Sequence, residues 1–419
     1  MEMDVIICYF INMKKVISSN SNVNIIKKAL IHNFFSEIIL AVIDKTRLYH
    51  LFVLLLGIIY PTQHKSCREI GMTIPGSPDG SNLNDSLRNC PKYFKYILKS
   101  SVEQSLYWIL KKAKKLTQIF ISIDDTLLSK SNKQKSLSYV FYCGHKKQSG
   151  IQIIFMHLQV GKYDIVFAYR IYDPNGMKSK HDLARELISE LREYLKGFDN
   201  ITLLADSWYA EEKLIKYVTV ECGWNWISGI KSNRTIDGKQ VKKSFWWISN
   251  TEYEKIKITK KTFMATSKSG YLSGFKDKGL FIVTKIKNKT NHTSQRYFYC
   301  SDPNTTVQKA LDEYSNRWKI ENDFWTLKEH LGIADFRFQG TDTVSSYLNV
   351  VVLTYIWLYN IKNKESERIR SDNIKIGVCD VLARLRFNLK EHFIEYGEDS
   401  IKVLVDEFLS VYSQRAKLE

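Results

Sequence analysis

Two short β-branched runs, each stopping at an aspartate, limit the folds open to this chain of 419 residues. Thr117-Gln118-Ile119-Phe120-Ile121-Ser122-Ile123 runs into Asp124-Asp125-Thr126, and Ile201-Thr202-Leu203-Leu204-Ala205 runs into Asp206-Ser207. Such runs read as buried strands. Between them lie two further strand candidates, Gly150 to Val160 and Asp164 to Tyr172, and a helical stretch from Ser179 to Leu195. Glu211 to Val220 reads as helix. A β-β-β-α-β-α order predicts an α/β core with helices on a mixed sheet. Acids at the carboxyl ends of neighbouring strands face the crevice where ligands bind. Asp206 or Ser207 could equally serve as a helix cap.

Charge is the second constraint. Lys and Arg number 62 against 44 Asp and Glu, a net of +18. Residues 231–296 hold 16 Lys/Arg and four Asp/Glu, so two thirds of the excess sits there. Alternation in Glu254-Lys255-Ile256-Lys257-Ile258 and the run Leu280-Phe281-Ile282-Val283-Thr284 predict half-exposed strands in this block. Lys242 and Lys243 precede Trp246 and Trp247. Basic residues interleaved with aromatics suit phosphate neutralisation and base stacking.

Other chemistries find no support. The seven cysteines are scattered, with no C-x-x-C pair, which excludes a zinc ribbon and fits a reducing cytoplasm. Neither a Walker loop nor G-x-G-x-x-G occurs. The longest apolar run, Leu51 to Tyr60, is shorter than the roughly 20 residues of a spanning helix and predicts a core helix, so no membrane partner is expected. Met1 to Ile11 is acidic at Glu2 and Asp4, unlike a signal peptide. Apolar spacing through Ile25-Ile26, Leu30 and Phe34-Phe35 predicts helix over residues 1–60. The Gly/Pro-punctuated stretch 61–92 is either a helix-turn-helix or a helical connector.

The segment from Tyr314 to Lys328 has no Gly or Pro. At about 100° per residue, Tyr314, Arg317, Glu321 and Lys328 share one stripe of roughly 60° on a continuous helix. Ile320, Phe324, Leu327 and Leu331 fall beside it as a core-facing stripe.

This Y-x2-R-x3-E-x6-K pattern, extended by Trp318 and Ile320, resembles the signature of bacterial insertion-sequence DDE transposases of the IS-four type. Ile123-Asp124-Asp125-Thr126 and Ala205-Asp206-Ser207 resemble the first and second acidic motifs of that family. The resemblance covers roughly residues 117–345. It implies a ribonuclease-H-like core in two parts (117–230 and 301–345), separated by a basic β-rich insertion (231–300). Helical regions flank the core at 1–116 and 346–419. It further implies an enzyme that cuts element ends and joins them to target DNA. Asp206, Glu321 and one of Asp124 and Asp125 would hold Mg²⁺ or Mn²⁺, two ions in all. Both registers before Thr126 stay open, with Asp125 preferred. Tyr314, Arg317 and Lys328 would grip phosphates, with Lys231, Arg234, Lys242 and Lys243 as further DNA contacts. Some members stack a flipped base on a Trp in the last insertion strand. Here that stretch, Gln295 to Cys300, has none, which leaves Tyr297, Trp246 or Trp247. The implied partners are double-stranded DNA, both terminal inverted repeats and target, and a second copy in a homodimeric synaptic complex. The implied location is the bacterial cytoplasm, at the nucleoid. The alternative on the same residues is a DNA-binding protein or nuclease without strand transfer.

Overall fold

The computed structural model describes residues 44–415, apart from 63, 131–138, 259–260, 288–292, 339 and 369–375. The helix expected before residue 44 lies outside the described residues. The chain forms two compact units: Leu106–Trp325, and the segments up to Ser105 and from Thr326 onward.

The first unit is built on one mixed sheet. Its strands are β1 (Ile119–Ser129), β2 (Phe141–Cys143), β3 (Gln148–Val160), β4 (Tyr163–Ile171), β5 (Ile201–Ala205), β6 (Asn225–Ile230), β9 (Glu254–Ile258), β10 (Lys261–Tyr271), β11 (Lys278–Lys287) and β12 (Thr293–Cys300), while the two-residue β7 (Thr235–Ile236) and β8 (Lys239–Gln240) pair with each other as a separate small ribbon. The order across the sheet is β2-β3-β1-β5-β6-β12-β11-β10-β9, with β4 also on β3. β1, β3 and β4 form the antiparallel meander, and β5 and β6 run parallel to β1. This is the expected ribonuclease-H-like arrangement. The basic block does not fold away from it. β12 pairs with β6 from Tyr297↔Ile230 to Cys300↔Ile227, so the insertion's strands lengthen the core sheet. Their inward residues continue one hydrophobic surface, in which Phe120, Leu204 and Ile227 meet Ile282, Phe298 and Cys300.

Helices cover both faces. Lys180–Tyr194 starts at a capping box between Ser179 and Asp182 and lays Leu183, Leu187 and Leu191 against β3 and β4. Val307–Ser315 and Trp318–Trp325 lie on the opposite face, the former over β6, β9 and β10 and the latter over β1 and β3.

The second unit is helical. Leu51 to Ile59 of the helix Lys45–Ile59 are fully buried, as a core helix requires. Lys45 pairs with Asp406 at 2.9 Å, and Arg386 Nε donates to the Ile59 carbonyl at 2.8 Å, so N- and C-terminal helical segments share one core. Cys67–Thr73 and Gly80–Asn89 cross backbone to backbone: a Cβ on Gly80 would come within 2.6 Å of the Arg68 Cα. Gly80–Asn89 buries Leu83 and Leu87 and leaves Ser81, Asn82 and Arg88 exposed. Among the described residues one helix, Thr341–Arg368, is long and apolar enough to cross a membrane. Its apolar window is 89% buried by the protein itself.

Candidate active site

The acidic residues meet because of strand register. β1 and β5 pair in parallel through Ile123↔Ala205, and that pairing then stops. Asp124 and Asp206 are the next residues of their strands, so they emerge side by side on the same face. β1 itself does not end at the aspartates, as the sequence suggested. It continues to Ser129 against β3, with Asp124 opposite Phe155 and Asp125 opposite Ile154. That continuation holds the two aspartates in strand geometry and sends their side chains to opposite faces.

The face of Asp124 carries the signature helix. Arg317 Nη1 donates to Asp124 Oδ2 at 3.0 Å, and Nη2 donates to Glu321 Oε1. One guanidinium thus bridges acids from a strand and a helix. Burial pushes the Asp124 carboxyl up, and the Asp206 charge adds to this, to about 7 against the pull of Arg317. The cluster therefore holds more negative charge than Arg317 offsets. Its donors are all carboxylate oxygens, the set a hard divalent cation takes. Among the described residues no three acidic, His or Cys side chains stand close enough to form a finished metal cage, and Arg317 lies between two of the three acids.

Asp125, the acid preferred from sequence, stands elsewhere. Its Oδ1 accepts from Lys180 Nζ at 3.0 Å and from the Tyr209 hydroxyl at 3.2 Å, and its Oδ2 accepts from Gln152. Asp206 uses Oδ1 to accept the Trp208 and Tyr209 amides, at 2.8 and 3.2 Å. It closes its own turn beside Asp124, and the helix that follows, Glu212–Lys216, is capped by Glu211 rather than by Asp206 or Ser207.

The signature segment is not one continuous helix. Asn316 and Arg317 form a tight turn between Val307–Ser315 and Trp318–Trp325, closed by Arg317 N–H to the Tyr314 carbonyl at 3.0 Å. The Asn316 side chain takes the Glu313 carbonyl at 3.0 Å, competing with the helical ladder. A π-helical turn, Thr326–His330, then shifts the phase again. The expected stripe therefore splits. Tyr314, Arg317 and Glu321 stay together: Arg317 bonds Glu321 and its guanidinium carbon lies 5.7 Å from the Tyr314 ring centre, while the Tyr314 ring also packs edge-to-face with Phe298 at 5.0 Å. Lys328 belongs to the helical unit, where it lines a cavity of about 380 Å³ with Lys65, His330, Asp335 and Arg386. Ile320, Leu327 and Leu331 are buried as expected, and Phe324 meets Phe155 edge-on at 5.6 Å.

Asp323 escaped the sequence reading. It is 1% exposed and lies 2.7 Å from His157 Nδ1, on β3. Burial lowers the His157 pKa, but Asp323 and Asp164 outweigh it and raise it to about 9. Lys319 adds a 2.6 Å bond to Asp164. These pairs pin the helix that carries Glu321 to the sheet. The available signal was an aspartate on the apolar side of an amphipathic helix.

Beside Asp206 opens a cavity of about 510 Å³, lined by Ser207, Ser232, Arg296, Tyr297, Tyr314 and Arg317 among others. Burial raises the Tyr314 pKa, so its hydroxyl stays a neutral donor. The four basic candidates gather nearby in sequence and space. Lys231 to Arg234 is the turn after β6, and the helix Val241–Ser244 carries Lys242 and Lys243. The two are joined by Lys242 N–H to Ser232 O at 3.1 Å and Val241 N–H to Arg234 O at 2.7 Å. Trp246 and Trp247 follow, 74% and 89% exposed, and Tyr297 faces Phe245 at 6.3 Å.

The family model for the transposase DDE domain matches residues 115–357. A cryo-EM structure of the piggyBac transposase synaptic complex with hairpin DNA is similar over 87% of this chain and 76% of that one, at 13% identity and a TM-score of 0.45. No curated protein matches the chain. The matched family segment takes in more than half of the chain and every acid gathered at this end of the sheet, and the chain belongs to the DDE-domain transposases.

Proposed function

We propose that this transposase cuts DNA at the ends of a mobile element and joins those ends to target DNA, as insertion-sequence enzymes of the IS-four type do. One observation carries the reading: register places Asp124 beside Asp206, and Arg317 ties Asp124 to Glu321. Asp124, Asp206 and Glu321 would hold Mg²⁺ or Mn²⁺, as two ions. When bound, such ions activate an attacking oxygen and stabilise a leaving one.

The chain's own groups supply the rest. Arg317 exchanges carboxylates for a phosphate, because its planar fork suits either partner. The buried Tyr314 hydroxyl donates into the same cavity. Lys328 is a further phosphate contact. Lys231, Arg234, Lys242 and Lys243 follow the DNA backbone away from the cut, and Tyr297, Trp246 or Trp247 stacks on a base. Two ends have to be held together for joining, so the active complex contains at least two copies.

The test is a labelled duplex carrying the inverted repeats that flank the gene, incubated with Mg²⁺ and with EDTA. Nicked and joined products that vanish in EDTA and with Glu321→Gln support the reading. Products that persist in either case sink it. Nicks without joined products reduce it to a nuclease.

A further inference from the structure

We propose that Asp125 is a positioning residue that holds the Asp206 turn in place from the opposite face of the sheet. This rests on Asp206 being a catalytic acid. Asp125 is 12% exposed at its side chain, and both its oxygens are committed, to Lys180, Tyr209 and Gln152. Tyr209 is fully buried, and its hydroxyl donates to Asp125 Oδ1 at 3.2 Å. The residue that gives this hydroxyl to Asp125 also gives its backbone N–H to Asp206 Oδ1. A path of two hydrogen bonds therefore links the two aspartates.

The same turn is held through Trp208 as well. The Trp208 ring stacks parallel on His181 with centroids 4.2 Å apart, and Lys180 Nζ sits 3.8 Å from the Trp208 ring centre. His181 Nε2 also lies 3.1 Å from the Trp208 carbonyl oxygen. Lys180 thus serves both Asp125 and Trp208. With Asp206 Oδ1 fixed by two amides, its second oxygen keeps its lone pairs for a ligand in a set direction. Groups that orient a ligating carboxylate typically change metal affinity or activity roughly 10- to 100-fold when removed.

The experiment uses full-length protein and Mn²⁺ as the probe. Binding is followed by electron paramagnetic resonance without DNA, and nicking is measured against Mn²⁺ concentration. Tyr209→Phe removes one hydroxyl and keeps the ring. It should weaken Mn²⁺ binding roughly 10-fold or more, leave the KM for DNA unchanged, and recover its nicking rate at high Mn²⁺. Asp125→Asn should behave alike, whereas Asp124→Asn and Asp206→Asn should not recover at any concentration. Wild-type Mn²⁺ affinity in Tyr209→Phe overturns the proposal even if Asp125→Asn fails to fold. So does an Asp125→Asn protein that folds yet never recovers. If Asp206→Asn itself binds Mn²⁺ like the wild type, the catalytic reading of Asp206 falls and takes this one with it.

Discussion

Asp124 and Asp125 are chain neighbours of identical chemistry, and each meets one cation at 3.0 Å with similar burial. Their surroundings nonetheless differ. Asp125 and Lys180 form a closed pair, completed by a phenol and an amide. Asp124 shares its cation with Glu321 and feels a third carboxylate, Asp206, so one guanidinium serves an excess of negative charge. The meaning of an ion pair thus lies in its charge balance. A balanced buried pair is structural, and an unbalanced one can accept a further cation.

Neutralising each acid in turn puts that contrast at greatest risk. Asp124→Asn should reduce metal-dependent nicking to background, while Asp125→Asn should leave nicking that returns with added metal. Reversed phenotypes in the duplex assay would exchange the two roles.

Stability offers the next test, through the anchor beneath the signature helix. Asp323→Ala leaves the buried, charged His157 with Asp164 alone and should cost about 3 kcal/mol in urea unfolding, the low end for breaking a buried pair. The His157 pKa is raised in the fold, so its contribution is complete below about 6.5 and fades as pH rises through about 9. Wild-type stability should therefore decline across that window, and His157→Gln should flatten the decline. A slope that persists in His157→Gln assigns it to another group.

Removing the cations separates the two pairs more finely. Lys180→Met and Arg317→Met should each destabilise the protein by about 3 kcal/mol, near the lower bound for breaking a buried pair. Mg²⁺ should restore Arg317→Met, by about 2.7 kcal/mol when its concentration is roughly 100 times the Kd, and should not restore Lys180→Met. Equal responses to Mg²⁺ in thermal melting would erase the distinction. In gel shifts Arg317→Ala should also weaken end binding by roughly 1.5–3 kcal/mol.

The mildest effect belongs to the basic turn and helix, away from both acids. Lys242→Ala with Lys243→Ala should weaken binding to all duplexes alike. The slope of log affinity against log salt should fall by about 0.9 for each phosphate left without its lysine. An unchanged slope assigns this surface to another partner.

Local signals were legible where local physics decides. Ile201–Ala205 and Glu254–Ile258 appear with the expected bounds, and the Ser179 cap begins its helix, because β-branched runs and capping chemistry act within a few residues. The signature helix was misread where competition acted. Asn316 can bond its own backbone as well as continue a helix, and a π-turn leaves no mark in residue spacing. Asp323 was passed over because its partner, His157, lies 166 positions away.

The residue types that the chemistry needs are written in the chain itself: the acids that follow β-branched runs, the Tyr-Arg-Glu-Lys spacing and the concentration of charge in 231–296. These are properties of composition and short-range order. Which of two adjacent aspartates faces Asp206 and Glu321 was left to the packed fold. Alternation along a strand says that neighbours point to opposite sides, but not which side a distant helix will cover. The pairing Ile123↔Ala205 and the docking of Trp318–Trp325 on β1 and β3 supply that choice, and both are long-range contacts that no local pattern encodes.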